Sequence, residues 1–275
     1  MPNSQTLFNV QEQTVVITGG SGVLGRAMSL ALAEAGARVA IISRRAESAA
    51  SVAETIQAQG GQAIALAADV TSRSALEQAL EQVTTTFGPL HILVNAAGGN
   101  QPGATTSAEN SFFDMDTEAI NNVFSLNCTG TFLSCQVFAR SMAEQKQGSI
   151  INISSMAAAR ALTRVPAYSA AKAAIDSFTR WLAVHMAQEY SPLIRVNAIA
   201  PGFFLTEQNR FLLTDAASGG FTQRGQAIVS HTPAGRLGDP TDLLGTLLWL
   251  ASPASAFVTG VVVPVDGGFS AFGGV

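Results

Sequence analysis

Residues 14–25 read Thr14-Val15-Val16-Ile17-Thr18-Gly19-Gly20-Ser21-Gly22-Val23-Leu24-Gly25. A short β-branched strand runs into a glycine-crowded turn, and a helical pattern follows. Gly20, Gly22 and Gly25 fit G-x-G-x-x-G. Glycines at that spacing permit a tight turn and let backbone N–H groups at a helix start approach a pyrophosphate. The spacing alone is common. Its place after a strand, before a helix and at the head of a βαβ unit gives it meaning.

The same alternation continues along the chain. Apolar strand-like runs fall at 14–18, 38–42, 63–66, 91–94, 149–153, 194–198 and 261–263. Helical patterns fall between them at 27–35, 46–59, 73–87, 117–144, 166–190 and 241–251. Several strands are apolar almost throughout, as strands covered on both faces are. The expected architecture is α/β, a Rossmann-type doubly wound parallel sheet of about seven strands with helices on both faces, in one domain over 1–275. Two longer insertions, 99–116 and 203–235, follow the carboxyl ends of strands. That is the edge at which open α/β sheets bind ligands, and long loops there are usually functional.

The chain has 275 residues, 15 Lys plus Arg, 19 Asp plus Glu and a formal net charge of −4. With 47% apolar and 12% charged residues, it lacks the composition of a disordered chain. No basic excess marks a nucleic-acid partner. No stretch reaches the ~18 apolar residues of a membrane span, and the amino terminus lacks a signal-peptide pattern. Cys128 and Cys135, at i, i+7 in one helical run, form neither a disulfide framework nor a metal-ligand pattern. A cytoplasmic protein with reduced thiols, no metal and a small-molecule partner is expected.

Thirteen of the basic residues are Arg, and only Lys146 and Lys172 are Lys. The two Tyr are Tyr168 and Tyr190, and one of each rare type falls in Tyr168-Ser169-Ala170-Ala171-Lys172. Four apart on a helix, Tyr168 and Lys172 share a face. A phenol of pKa about 10 is a poor base at neutral pH. A neighbouring ammonium is expected to lower that pKa, so the pair can exchange a proton with a substrate oxygen. Ser155, at the end of the fifth strand, offers a hydroxyl to the same oxygen. The second strand ends in Ser43-Arg44-Arg45, where an acidic residue would bind the ribose 2′-hydroxyl of NAD. Two Arg suit a 2′-phosphate, so NADP(H) is the expected cofactor and NAD(H) the alternative.

Together these motifs resemble the short-chain dehydrogenase/reductase family, in its shorter single-domain branch, over essentially the whole chain. The resemblance includes Asp69-Val70, Asn95-Ala96-Ala97-Gly98, Asn127, Ser155, Tyr168, Lys172, Pro201-Gly202 with Thr206, and Asp266-Gly267-Gly268. It implies that Tyr168 is the acid/base, that Lys172 binds the nicotinamide ribose and tunes Tyr168, that Ser155 polarises the carbonyl, and that Asn127 holds a relay water. It implies a cofactor site formed by Gly19, Ser21, Gly22, Val23, Leu24, Gly25, Ser43, Arg44, Arg45, Asp69, Val70, Asn95, Ala96, Gly98, Tyr168, Lys172, Pro201, Gly202, Phe203, Phe204 and Thr206. A homotetramer is also implied, with Phe269, Phe272 and Val275 as apolar residues to be buried. Val23 and Ala96 depart from the family's usual Gly and Asn.

Within the family, Val165–Ala174 and Ala198–Arg210 most resemble D-mannonate oxidoreductases, also called fructuronate reductases. That resemblance implies reversible NAD(P)-dependent reduction of a keto sugar acid, D-fructuronate to D-mannonate. The alternatives are a gluconate 5-dehydrogenase-like enzyme, a polyol dehydrogenase, or a catalytically silent nucleotide-binding regulator. A sugar acid needs a cation and a row of polar groups, for which Asn100, Arg160, Arg164, Gln208, Asn209 and Arg210 are the candidates. His231 is expected to pack its loop.

Overall fold

A computed structural model describes residues 4–206, 209–215 and 219–274. Seven strands join one sheet in the order β3-β2-β1-β4-β5-β6-β7. They are β1 (Thr14–Thr18), β2 (Arg38–Ser43), β3 (Gln62–Ala67), β4 (Ile92–Asn95), β5 (Gly148–Ile153), β6 (Ile194–Pro201) and β7 (Val262–Val265). Every pairing is parallel. The expected Rossmann-type α/β sheet is therefore present, with the strand order reversing between β1 and β4.

The helices are α1 (Ser4–Leu7), α2 (Val23–Glu34), α3 (Ala46–Ala58), α4 (Arg73–Phe87), α5 (Thr117–Phe124), α6 (Gly130–Gln145), α7 (Pro166–Glu189), α8 (Arg210–Leu213), α9 (Gln223–His231) and α10 (Leu244–Ala251). Successive side chains of a strand point to opposite faces, so β1 feeds two cores. Val15 and Ile17 pack with Met28, Leu32, Leu247 and Leu250 beneath α2 and α10. Val16 packs with Phe138, Met142, Phe178 and Leu182 beneath α6 and α7. Helices thus cover both faces. Among the described residues, no helix is long and apolar enough to cross a membrane.

Three features depart from the sequence reading. The helix starts earlier than residue 27, because Gly22 is the N-cap of α2 and the glycine turn feeds directly into it. The helix expected over 117–144 is interrupted by a π-helical turn, Ser125–Thr129. Its cause is local: the Asn127 side-chain amide donates to the Val123 carbonyl at 2.8 Å, taking the acceptor that its own backbone N–H would use in an α-helix. The 203–235 insertion contains two helices, α8 and α9, each too short for a clear periodic signal.

The switch point is a close backbone contact. Gly19 has φ +66°, and a Cβ there would lie 2.7 Å from the Cα of Ala97. A Cβ on Gly25 would strike the Gly19 carbonyl oxygen. Gly25→Ala should therefore destabilise the fold by about 1–3 kcal/mol, the usual cost of overpacking. Gly245→Ala, on α10 with no atom within 4 Å of the added Cβ, should gain about 0.5–1 kcal/mol. Urea unfolding of the two variants checks the contrast, and equal effects would remove the steric account of the turn.

Candidate active site

The candidate residues gather along the carboxyl edge of the sheet. Ser155 follows β5, and its Oγ accepts from the Ala157 N–H at 3.1 Å, capping a short 3-10 turn. Pro166 opens α7, which presents Tyr168 one turn before Lys172. The Ser155 hydroxyl hydrogen-bonds to Tyr168. The Lys172 Nζ donates to the Ile153 carbonyl at 2.7 Å and lies 5.6 Å from the centre of the Tyr168 ring. Asn127 holds the loop after β4 reciprocally: its Nδ2 donates to the Gly99 carbonyl at 2.7 Å, and the Gly99 N–H donates to its Oδ1 at 3.1 Å. A Cβ on Gly98 would lie 2.7 Å from Asn127 Oδ1 and 3.2 Å from Lys172 Nζ. Asn127, Ser155, Tyr168 and Lys172 are therefore brought together. The Asn127 amide is committed to backbone, and its main-chain oxygen accepts from Thr131 Oγ1 at 2.9 Å.

The electrostatics correct one expectation. The Tyr168 pKa is not lowered: burial raises it, and the Ser155 hydrogen bond only partly opposes this. Lys172, with 4% of its surface exposed, takes the larger share of the strain, and burial pushes it down to about 8. The opposing influence is Asp176, one turn further along α7, whose buried carboxylate accepts from the Ser154 hydroxyl. Burial raises the Asp176 pKa, while Ser154, Arg180 and Lys172 favour its charged form. Asp176 escaped the sequence reading, although its i, i+4 spacing from Lys172 was a usable signal.

The glycine turn, the end of β2 and the turn after β3 line one side of the same edge. Ser21 Oγ donates to Ser43 Oγ at 2.9 Å, tying the turn to β2. Arg44 and Arg45 are exposed. Burial raises the Asp69 carboxyl pKa, but two hydrogen bonds from Thr71 and the charge of Arg44 outweigh it and hold the group low. Val70 is buried and touches the place a Gly130 Cβ would fill. Val23 stands at the exposed start of α2, where a side chain is accommodated. The Gly202 N–H donates to the Val265 carbonyl at 2.9 Å, and a Cβ there would meet Asp266. These backbone cradles fit a dinucleotide laid across the β1–β4 switch point.

Several side chains point elsewhere. Asn95 donates to Asn152 Oδ1 at 2.9 Å and to Cys135 Sγ at 3.2 Å, in the buried interior. Phe204 is buried in the core, against Gly238. Asn209 braces its own loop, donating to the Phe204 carbonyl and accepting from the Thr206 N–H, each at 2.7 Å. Asn100 donates to Thr105 Oγ1 at 2.8 Å, and Arg160 donates to the Ser270 carbonyl. Arg210 opens α8 and is exposed. Gln208 and Val275 lie outside the described residues. His231 packs as expected, its ring 5.0 Å from those of Phe269 and Phe272. Those two Phe are therefore half-buried, and the exposed aromatics include Phe132 on α6 and Trp181 on α7. A recess of about 610 Å³ between α3, β3 and α4 holds none of the candidate residues.

The family described as enoyl-(acyl carrier protein) reductase matches residues 21–270. An uncharacterized oxidoreductase, UxuB, of Bacillus subtilis (strain 168) is 52% identical over 97% of this chain and 98% of its own. A candidate D-mannonate oxidoreductase of Haemophilus influenza, solved with bound NAD, is 44% identical over 97% of this chain and 98% of its own, with a TM-score of 0.90. A gluconate 5-dehydrogenase of Burkholderia cenocepacia J2315, solved with NADP and tartrate, is 31% identical over 98% of this chain and 99% of its own, with a TM-score of 0.87.

The buried ammonium predicts a pH effect on stability. Lys172 titrates at 10.5 when unfolded and at about 8 when folded. Between those values the unfolded chain holds the proton that the folded protein has released, so this group's contribution to stability rises with pH. Burial also raises the Cys128 thiol pKa and pushes that of Cys135 up to about 12. The difference between wild type and Lys172→Met isolates the lysine. Near neutral pH the difference between the two should be level, and above pH 8 wild type should gain stability relative to the variant. A margin independent of pH in urea titrations would remove burial as the source of the effect.

Proposed function

Since this chain belongs to the short-chain dehydrogenase/reductase family, whose named relatives are oxidoreductases, we propose that it reversibly reduces the ketone of a keto sugar acid, D-fructuronate to D-mannonate, within a single domain spanning 1–275. The observation that carries the reading is the convergence of Ser155, Tyr168, Lys172 and Asn127 beside the glycine turn. The assigned chemistry of the two solved relatives supports the sugar-acid class. Reduction of a gluconate-type 5-keto acid is the second reading, favoured by the gluconate 5-dehydrogenase likeness.

A nicotinamide dinucleotide, when bound, supplies or accepts the hydride. Gly19, Ser21, Gly22, Val23, Leu24 and Gly25 would hold its pyrophosphate, Ser43 with Arg44 and Arg45 its adenosine ribose, and Asp69 with Val70 its adenine. The loop of Ala96 and Gly98, Lys172, and the backbone of Pro201, Gly202, Phe203 and Thr206 would hold the nicotinamide half. The exposed Arg44 and Arg45 favour NADP(H) over NAD(H).

The chain's own residues handle the proton. Burial keeps the Tyr168 phenol protonated at neutral pH, which suits a group that must give its proton to the carbonyl oxygen. Ser155, already bonded to Tyr168, turns its hydroxyl to the same oxygen and polarises the carbonyl. The phenolate left on Tyr168 is stabilised by the Lys172 ammonium, which the Ile153 carbonyl fixes. Asn127 fastens Gly99 to the π-turn, and the second lone pair of its main-chain oxygen would hold the relay water. In the oxidation direction the same groups run in reverse. A homotetramer is part of the reading, with the exposed Trp181, Val184 and Phe132 of α6 and α7 as apolar surface to be covered.

Turnover of D-fructuronate with NADPH tests the reading directly, and reaction with 5-keto-D-gluconate alone would favour the second. Tyr168→Phe should cost at least about several hundred-fold in kcat while the cofactor still binds. Near-normal turnover by that variant would sink the mechanism. Arg44→Asp should move preference from NADPH toward NADH, read as the ratio of kcat/KM for the two cofactors, and an unchanged ratio would leave Arg44 as surface only.

A further inference from the structure

Two arginines, Arg164 and Arg224, lie where three segments of the chain converge. Arg164 lies in the loop between Ser155 and Tyr168, and Arg224 lies in the first turn of α9. The Arg224 Nη1 donates to Thr163 Oγ1 at 3.0 Å, and its Nη2 donates to the Thr163 carbonyl at 3.5 Å. Its head is therefore held over the residue next to Arg164. Burial depresses the Arg224 pKa, and the Arg164 charge depresses it further. The third segment is the 99–116 insertion, whose Thr106 N–H donates to the Arg164 carbonyl at 3.0 Å.

Neither guanidinium forms an ion pair among the described residues. Among the described residues, Glu109, an exposed carboxylate, feels the Arg164 charge but takes its side-chain hydrogen bond from Ser107. The arrangement carries three uncompensated costs. The exposed Arg164 sets a like charge near the half-buried Arg224. A cation in the first turn of a helix opposes the helix dipole. Arg164 has φ +77°, a left-handed conformation that a long side chain rarely adopts. Costs concentrated on one spot point to a ligand that relieves them, and a carboxylate, planar and anionic, matches two guanidinium forks.

The position fits one end of an extended substrate. Thr163 and Arg164 lie on the loop whose two ends carry Ser155 and Tyr168. Arg224 belongs to the helix that ends in His231, whose ring packs on Phe269, itself 5.1 Å from the ring of Phe203. The other candidate side chains are already committed: Arg160 to the Ser270 carbonyl, Asn100 to Thr105 and Asn209 to its own loop.

We propose that Arg164 and Arg224 form the subsite that takes the substrate's carboxylate, several carbons from the reacting ketone. The proposal rests on the keto-acid reading and names the residues behind it. Arg224 would then set specificity, since neutral ketoses and polyols lack the anion that offsets the paired charges.

The test uses full-length wild type, Arg224→Gln and Arg224→Lys, each with NADPH. Thermal stabilisation by D-mannonate is compared with that by neutral D-mannitol, and tartrate serves as a second carboxylate probe. Wild type should be stabilised more by D-mannonate than by D-mannitol, and Arg224→Gln should lose that difference. Its KM for D-fructuronate should rise about tenfold or more, as expected for losing a charge-assisted hydrogen bond, with a smaller change in kcat. Arg224→Lys should recover part of both. The melting temperature without ligand should stay level or rise in Arg224→Gln. A lower one, with the D-mannonate effect intact, would make Arg224 structural and overturn the proposal, as would an unchanged KM. Should wild type turn over no keto sugar acid yet gain tartrate stabilisation that Arg224→Gln loses, the subsite stands and the sugar-acid reading falls. Equal stabilisation of wild type by charged and neutral probes overturns the subsite.

Discussion

The buried Lys172 ammonium is the constraint around which the rest of the site is arranged. A charge taken out of water is costly unless groups of the protein replace its hydration. Lys172 gets the Ile153 carbonyl as a direct acceptor and Asp176 as a counter-charge one turn away. Asp176 is itself buried and needs the Ser154 hydroxyl. Ser154 and Ser155 follow β5 in succession, so the residue that holds the counter-charge is the neighbour of the residue that bonds to Tyr168. Gly98 completes the set by what it lacks, since a side chain there would meet both Lys172 and Asn127. One buried ammonium thus links the ends of β4 and β5, the π-turn and α7.

The fold was legible because its signals are periodic and local. Strands buried on both faces read as apolar runs, and the glycine turn marks where the first of them hands over to a helix. The break at Ser125–Thr129 was not legible, because a π-turn comes from one side chain capturing one carbonyl and leaves the hydrophobic period nearly intact. The catalytic constellation was legible through spacing on α7. The direction of the Tyr168 shift was not, because burial outweighs the neighbouring charge and sequence spacing says nothing about burial. Asp176 had the spacing, but an acidic residue in a helix reads as solvated until its burial is known. Arg224 had no signal at all: it reaches Thr163 from 61 residues away.

Asn95 shows how a motif position can be recognised while its contacts are not. At the end of β4 its side chain turns into the sheet, bonding to Asn152 and Cys135, while Asn152 bonds onward to Thr179 on α7. This buried polar chain pins β4, β5, α6 and α7 to one another beneath the reacting groups. Such networks favour one arrangement over others because a shifted strand would leave amides unpaired. The rare residues divide in the same way. Lys146 and Tyr190 are helix C-caps, Lys146 in a left-handed conformation and Tyr190 exposed. Their counterparts Lys172 and Tyr168 stand inside the site.

The two sides of the site differ in how far their groups are satisfied. On the dinucleotide side, Ser21 with Ser43 and Asp69 with Thr71 fix the loops within the chain, while Gly22 caps α2 without a side-chain bond and leaves the first backbone N–H groups of the helix to an anion. That side is organised before a ligand arrives, and binding there loses little conformational freedom. On the substrate side, charges stand together and a backbone is held in a rare conformation. Strain of this kind persists only where the surrounding structure enforces it, and here a hydrogen bond from Thr106 does so.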